Sequence, residues 1–274
     1  MEIDITNQLS ALAHPKRLAL FRLLMRRYPH GVPAGEISGA LGLKANTASS
    51  YLSALTQVGL ISQTRNGTTL RYSANVTTLR GLFGTLLEDC SQNRPDICLP
   101  STPQIFSPSV ERPLNVLFLC TGNSARSILA EALLASFSGG KFQAYSAGTN
   151  PAEAPHPDVL ALLKAKSHSV DGLTSKTLDV FYAQNAPKMD FVFTVCDQAA
   201  NEECPSWPGY PMNAHWGLRD PVSETVAIKD VPRAIEQTYD VLKKRLQTFV
   251  DLPFGSFTPQ SLQHHLDDLG QQNV

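Results

Sequence analysis

Residues 120–127 read Cys-Thr-Gly-Asn-Ser-Ala-Arg-Ser, between the apolar run Asn115 to Leu119 and a helix-like stretch from Ile128 to Phe137. A thiol, five small or turn-forming residues, an arginine and a hydroxyl at a strand-to-helix junction predict an oxyanion trap with a built-in nucleophile. The backbone N–H groups of Thr121, Gly122, Asn123, Ser124, Ala125 and Arg126 can wrap a tetrahedral anion at the positive end of the following helix. Arg126 adds a bidentate fork for two oxygens. The same positive surroundings are expected to ionise Cys120 near neutral pH, with Ser127 donating a hydrogen bond to the sulfur.

Two further cysteines bear on which reaction is run. A phosphatase needs one cysteine, whereas an oxyanion reductase needs a source of two electrons. Cys196 ends the strand-like run Asp190 to Cys196, which should bring it near Cys120. Cys204 follows in the acidic loop that starts at Asp197, before Pro205. One thiol near the site and another on a mobile loop make a relay. The five cysteines, at 90, 98, 120, 196 and 204, are an odd number in a chain whose first residues show no secretory signal. Thiol chemistry is therefore expected rather than a disulfide framework, and a cytoplasmic location. No apolar run is long enough to suggest a membrane span.

These residues need two kinds of scaffold. Residues 95–113 contain Pro95, Pro100, Pro103, Pro108 and Pro113 and read as a semi-rigid Pro/Ser-rich linker. Before it, residues 1–94 are helical in pattern apart from one hairpin; after it, residues 114–250 alternate strands with helices. The predicted fold is thus a mainly α domain with a helix-turn-helix, followed by an α/β domain. Its four-stranded parallel sheet is built from Asn115 to Cys120, Gln143 to Ser146, Asp190 to Cys196 and Met212 to Trp216, with the anion site at the carboxyl end of the first strand. Residues 251–274 read as a polar, loosely docked tail with one short helix-like stretch around Leu262 to Leu269. Residues 1–100 hold 10 Lys+Arg against 6 Asp+Glu, net +4, which leaves net −5 for the remainder. The N-terminal half is the expected partner of an acidic polymer.

In that half, Pro15 suits the first turn of a helix and His14 reads as its cap rather than as a metal ligand. Ala34 to Leu41, a tight turn at Gly42-Leu43-Lys44, and Ala45 to Val58 form the helix-turn-helix. Lys44, Asn46, Thr47, Ser49 and Ser50 at the start of the second helix are candidate DNA contacts. A hairpin turning at Asn66-Gly67 carries Arg65 and Arg71, expected on phosphates. The alternative is a small bundle with a polar helix face. With Leu12-Ala13-His14-Pro15-Lys16-Arg17-Leu18 ahead of the helix-turn-helix and Val58-Gly59-Leu60-Ile61 entering the hairpin, this half resembles the ArsR/SmtB family of winged-helix metalloregulators. The resemblance implies a repressor that binds operator DNA as a homodimer through the terminal helix Val76 to Cys90. Cys90 and Cys98 are the thiols left to sense arsenite here; the other reading makes one a helix filler and the other a stray linker residue.

The stretch from Leu114 to Val250 resembles the low-molecular-weight tyrosine phosphatase family, in particular its three-cysteine arsenate reductases. Cys120 to Ser127 carries the likeness, with Cys196, Cys204, Ala214-His215-Trp216-Gly217 and Asp220-Pro221. The resemblance implies that Asp220 is the general acid, although Asp-Pro also starts turns. Asn123, Glu131 and Ser146 match positions that hold a potassium ion in some members, but Lys176 stands where a further carboxylate is expected, so the expectation is no metal. No cofactor is expected beyond an external thiol reductant, thioredoxin or glutaredoxin with glutathione. The function implied is a bifunctional arsenic-resistance protein, an arsenite-responsive repressor fused to an arsenate reductase. The rivals are a tyrosine phosphatase tethered to a DNA-binding domain and a non-enzymatic oxyanion- or redox-sensing regulator.

Overall fold

The computed structural model describes residues 2–92, 112–202, 207, 209 and 211–272. They divide into two compact units, one of residues 2–92 with 201–202 and one of residues 112–200 with the described residues from 207 on, each with its own core.

In the N-terminal unit, α1 (Glu2–Leu12) and α2 (Pro15–Arg26) are separated by His14, which adopts an extended backbone and caps α2: its Nδ1 accepts the Arg17 N–H at 3.4 Å, and Pro15 occupies the first helical position. Leu20, Phe21, Leu23 and Leu24 of α2 are buried. A short strand β1 (Val32–Pro33) precedes α3 (Ala34–Ala40) and α4 (Ala45–Gln57), with Gly42 at φ +58° between the helices. Ala48, Leu52 and Leu55 turn one side of α4 into the core, which leaves Lys44, Asn46, Ser49 and Ser50 exposed. β2 (Ile61–Asn66) and β3 (Thr69–Ala74) form the hairpin, and β1 joins the far side of β3. The hairpin register differs by one residue from expectation. Asn66 pairs with Thr69, so Gly67 and Thr68 make the turn, with Gly67 at φ +60°. α5 (Val76–Thr85), capped by the Asn75 side chain, passes into a wider π turn at Leu86–Cys90.

The C-terminal unit is a parallel sheet covered on both faces. Its elements are β4 (Leu114–Cys120), α6 (Arg126–Phe137), β5 (Phe142–Gly148), α7 (Pro157–Ala165), β6 (Phe191–Thr194), α8 (Asp197–Asn201), β7 (Met212–His215), α9 (Val231–Val250) and α10 (Pro259–Gln271). Strand order is β5-β4-β6-β7, all parallel. From Val116 to Cys120, β4 is apolar because it is buried on both sides. Val116, Phe118 and Cys120 meet the core that includes Ile128, Leu133, Leu242 and Phe249, while Leu117 and Leu119 meet Phe181, Met189 and Val192. Since β5 and β6 lie on opposite sides of β4, the chain reverses its sideways progress there, and the crevice opens at the carboxyl end of β4. Residues 120–126 occupy that point.

Residues 251–272 are docked onto this unit and are not a loose polar tail. Its helix α10 starts with a reciprocal Thr258–Ser261 capping box and buries Leu262, Leu266 and Leu269. The Trp216 indole donates to the Leu266 carbonyl at 3.0 Å, and Arg245 donates to the carbonyls of Trp216 and Gly270 at 3.1 and 3.0 Å. The helix-like stretch expected around Leu262 to Leu269 is thus present, and it is packed into the core instead of loosely docked. No helix among the described residues is long and apolar enough to cross a membrane.

Candidate active site

The loop after β4 is held by its carbonyls. Those of Cys120, Thr121, Gly122 and Ser124 accept from the backbone N–H groups of Thr149, Asn150, Ala152 and His156 at 2.8–3.1 Å, and the Asn123 carbonyl accepts from Ser175 Oγ at 2.7 Å. With the carbonyls drawn outward, planar trans peptides aim their N–H groups inward, which makes the anion nest. Gly148 permits the close approach: a Cβ there would lie 2.5 Å from the Thr121 carbonyl oxygen. Sequence reading missed the segment 149–156 and Gly148, which have no chemistry of their own. Residues with ordinary types that act only through their main chain leave little signal.

Cys120 sits at the base of this nest, 2 % exposed. Its sulfur lies 3.0 Å from Ser127 Oγ and accepts the Asn123 N–H at 3.1 Å. Burial pushes the Cys120 thiol up from its ordinary range, and nearby Cys196 adds to this, against the opposing hydrogen bond of Ser127 and charge of Arg126. Arg126 is itself diverted. Its Nη2 binds Asp220 Oδ2 at 2.8 Å and its Nη1 the Leu218 carbonyl at 3.1 Å, while its buried Nε has no partner among the described residues. Asp220 thus lies at the rim, its other oxygen accepting the Val222 N–H at 3.2 Å as a turn aspartate does. The acid candidate and the anion fork are in direct contact.

Behind the loop runs a chain of polar side chains. Asn123, fully buried and at φ +43°, donates from Nδ2 to Ser127 Oγ and to Ser146 Oγ, each at 2.8 Å, and accepts the Lys176 N–H on Oδ1 at 2.8 Å. Ser146 donates to Glu131 Oε2 at 2.5 Å. The Lys176 ammonium lies 3.8 Å from the same oxygen and donates to the Thr174 carbonyl at 2.9 Å. Burial raises the Glu131 carboxyl from its ordinary range, with Ser146 and Lys176 opposing. Among the described residues no His/Cys/Asp/Glu group is arranged to hold a metal ion.

Cys196, 1 % exposed, is directed toward the loop. Its sulfur is 3.4 Å from Thr121 Oγ1 and accepts the Ala199 N–H at 3.3 Å. The next residue, Asp197, bonds His215 Nε2 at 3.0 Å, and the other nitrogen of that ring is 2.8 Å from Thr194 Oγ1. This pairing joins α8 to β7 across Gly217, where a Cβ would fall 2.5 Å from the Asp197 carboxylate. Cys204 lies outside the described residues.

In the N-terminal unit, Thr47 is half-buried on α4 beside the exposed polar residues named above. Arg65 is exposed on β2 one residue from the hairpin end. Arg71 is not at the tip: it pairs with Thr64 and Pro33 and spends its guanidinium on the Gly31 carbonyl at 2.8 Å. Cys90 is exposed at the end of the π turn, and Cys98 lies outside the described residues.

Residues 115–265 match the family model for low molecular weight phosphotyrosine protein phosphatase. An arsenate reductase of Halalkalibacterium halodurans is 32% identical over 136 residues, covering 50% of this chain and 94% of that protein. A solved arsenate reductase from Archaeoglobus fulgidus DSM 4304 is 26% identical, covering 50% of this chain and 99% of that one, with a TM-score of 0.40. An ArsR-like transcriptional regulator from Rhodococcus sp. RHA1 matches 35% of this chain and 88% of its own at 19% identity and a TM-score of 0.31.

Proposed function

The chain belongs to the low molecular weight phosphotyrosine protein phosphatase family, and on that premise we propose that its C-terminal domain is an arsenate reductase working through Cys120, Cys196 and Cys204. The observation that carries the reading is a second thiol, Cys196, hydrogen-bonded to Thr121 of the nest that surrounds Cys120. A hydrolase has no use for it.

Arsenate enters the nest and takes hydrogen bonds from the N–H groups of Thr121 to Arg126 and from the Arg126 side chain. The incoming dianion competes with Asp220 for Arg126. The released carboxyl group becomes available, once protonated, as the acid. Cys120 thiolate attacks arsenic, an oxygen leaves as water with the proton of Asp220, and a sulfur–arsenic(V) bond forms. Cys196 thiolate then attacks the Cys120 sulfur. The sulfur–arsenic bond breaks with its electron pair on arsenic, which departs as arsenite, leaving a Cys120–Cys196 disulfide. Cys204 attacks Cys196, frees Cys120, and the Cys196–Cys204 disulfide is reduced by an external dithiol such as thioredoxin, or by glutaredoxin with glutathione.

Residues 1–94 are proposed as the regulator of the same resistance system. They form a homodimer that reads operator DNA through Lys44, Asn46, Thr47, Ser49 and Ser50, with Arg65 on phosphate, and release it when arsenite binds Cys90 and Cys98. Residues 95–113 serve as the linker. Fusion would generate the inducer beside its sensor, in the cytoplasm.

The deciding experiment measures reductant-coupled arsenate turnover beside p-nitrophenyl phosphate hydrolysis. Cys120→Ser should abolish both. Cys204→Ser should permit one arsenate turnover and trap Cys120–Cys196, located by peptide mass mapping. Normal cycling of Cys204→Ser with its reductant would refute the relay, and hydrolysis without arsenate reduction would favour the phosphatase.

A further inference from the structure

We propose that the Lys176–Glu131 ion pair is a positioning brace for Cys120, holding Asn123 so that the Ser127 hydroxyl and the Asn123 N–H both point at the sulfur. The proposal rests on Cys120 being the nucleophile and concerns residues that take no part in the thiol relay.

The direction of every bond in the chain follows from what each group can do. The Lys176 main-chain N–H can only donate, so the Asn123 amide atom facing it at 2.8 Å is the oxygen. The amide nitrogen therefore faces the serines and gives one hydrogen to Ser127 Oγ and one to Ser146 Oγ. Each serine oxygen receives a proton and keeps its own free to donate. Ser146 sends its proton to Glu131 Oε2, and Ser127 has the Cys120 sulfur 3.0 Å away. A flipped Asn123 amide would reverse both serines and turn the Ser127 proton away from sulfur.

What prevents the flip is the placing of Lys176. Its ammonium bridges the Thr174 carbonyl and Glu131 of α6, while the adjacent Ser175 hydroxyl holds the Asn123 carbonyl. Residues 174–176 are thereby tied to the helix that begins at Arg126, and they hold Asn123 in a left-handed conformation that asparagine tolerates better than most non-glycine residues. The rest of the nest is pinned separately by residues 149–156. The brace should therefore govern sulfur reactivity more than anion affinity.

The test compares Lys176→Met, Lys176→Arg and Glu131→Gln in the full chain. The readouts are the rate at which iodoacetamide alkylates Cys120, assigned by peptide mapping and by protection with inorganic phosphate, and the dissociation constant for phosphate. Lys176→Met should slow alkylation about tenfold, the order expected for a misdirected hydrogen bond to a charged group. Phosphate affinity should stay within about threefold, and Lys176→Arg should restore most of the rate, because a brace of like charge keeps the amide oriented. Glu131→Gln retains the lysine and a hydrogen-bond acceptor, and should slow alkylation even if Lys176→Met fails to fold. An unchanged rate in a folded Lys176→Met or Glu131→Gln protein overturns the brace. So does a parallel loss of phosphate affinity, which would mean collapse of the nest. None of these measurements needs arsenate turnover, so failure of the reductase reading would show separately, as a parent protein that does not reduce arsenate.

Discussion

Arg126 holds Asp220 with one nitrogen and the Leu218 carbonyl with another, so the anion fork and the acid candidate are coupled. The contact neutralises charge that would otherwise favour thiolate at Cys120. Removing it should split two properties that usually fall together. Asp220→Asn should speed alkylation of Cys120 by iodoacetamide at neutral pH, because Arg126 is freed toward the nest. Arsenate turnover should drop by on the order of 10²–10⁴ for want of a proton donor. Equal slowing of both would show that Asp220 supports the loop instead of donating a proton. Cys120, Arg126 and Ser127 were legible in the sequence because strand, loop and helix are contiguous there. The engagement of Arg126 by a partner 94 residues on, and the burial that raises the thiol, exist only after folding.

Elements were legible where a single period dominates. β4 reads as a strand because both its faces are buried, and α2 because His14 and Pro15 mark its start. The hairpin turn slipped by one residue: Asn66 stays in the ladder opposite Thr69, and the left-handed Gly67 becomes the first turn residue instead of the second. The helix-like stretch around Leu262 to Leu269 was legible in α10 but its burial was not, and one of its polar residues carries a cost. Asp267 is mostly buried and accepts from Gln263 at 2.9 Å, and burial pushes its carboxyl from 3.8 up to about 6. Between those values the folded state binds more protons than the unfolded one, so stability falls as pH rises from about 4 to about 6 and then levels off. Asp267→Asn should remove that dependence. The variant should melt higher than the parent at pH 7 and similarly at pH 4, measured by thermal unfolding. A gain of equal size at both pH values would trace the effect to packing and not to the carboxylate.

At the scale of the whole chain, the two units have separate cores and opposite formal charge. The communication proposed between them runs through a shared ligand. The proposed ligand is arsenite, the product of one unit and the inducer of the other. Cys90 is exposed where α5 widens into its π turn, a poor place for a packing residue and an accessible one for a soft thiophilic ion. Binding there, with Cys98, would alter the end of the helix on which the proposed dimer depends. Since specific and non-specific operator binding differ by on the order of 4–10 kcal/mol, a modest change in the spacing of two recognition helices suffices for release. The Cys90→Ser, Cys98→Ser double variant should bind operator DNA as tightly as the parent and fail to release it when arsenite is added, as read by fluorescence anisotropy. If arsenite still dissociates the double variant while Cys120→Ser abolishes the response, the sensor is the thiol site of the C-terminal domain. The N-terminal cysteines then have no part in induction.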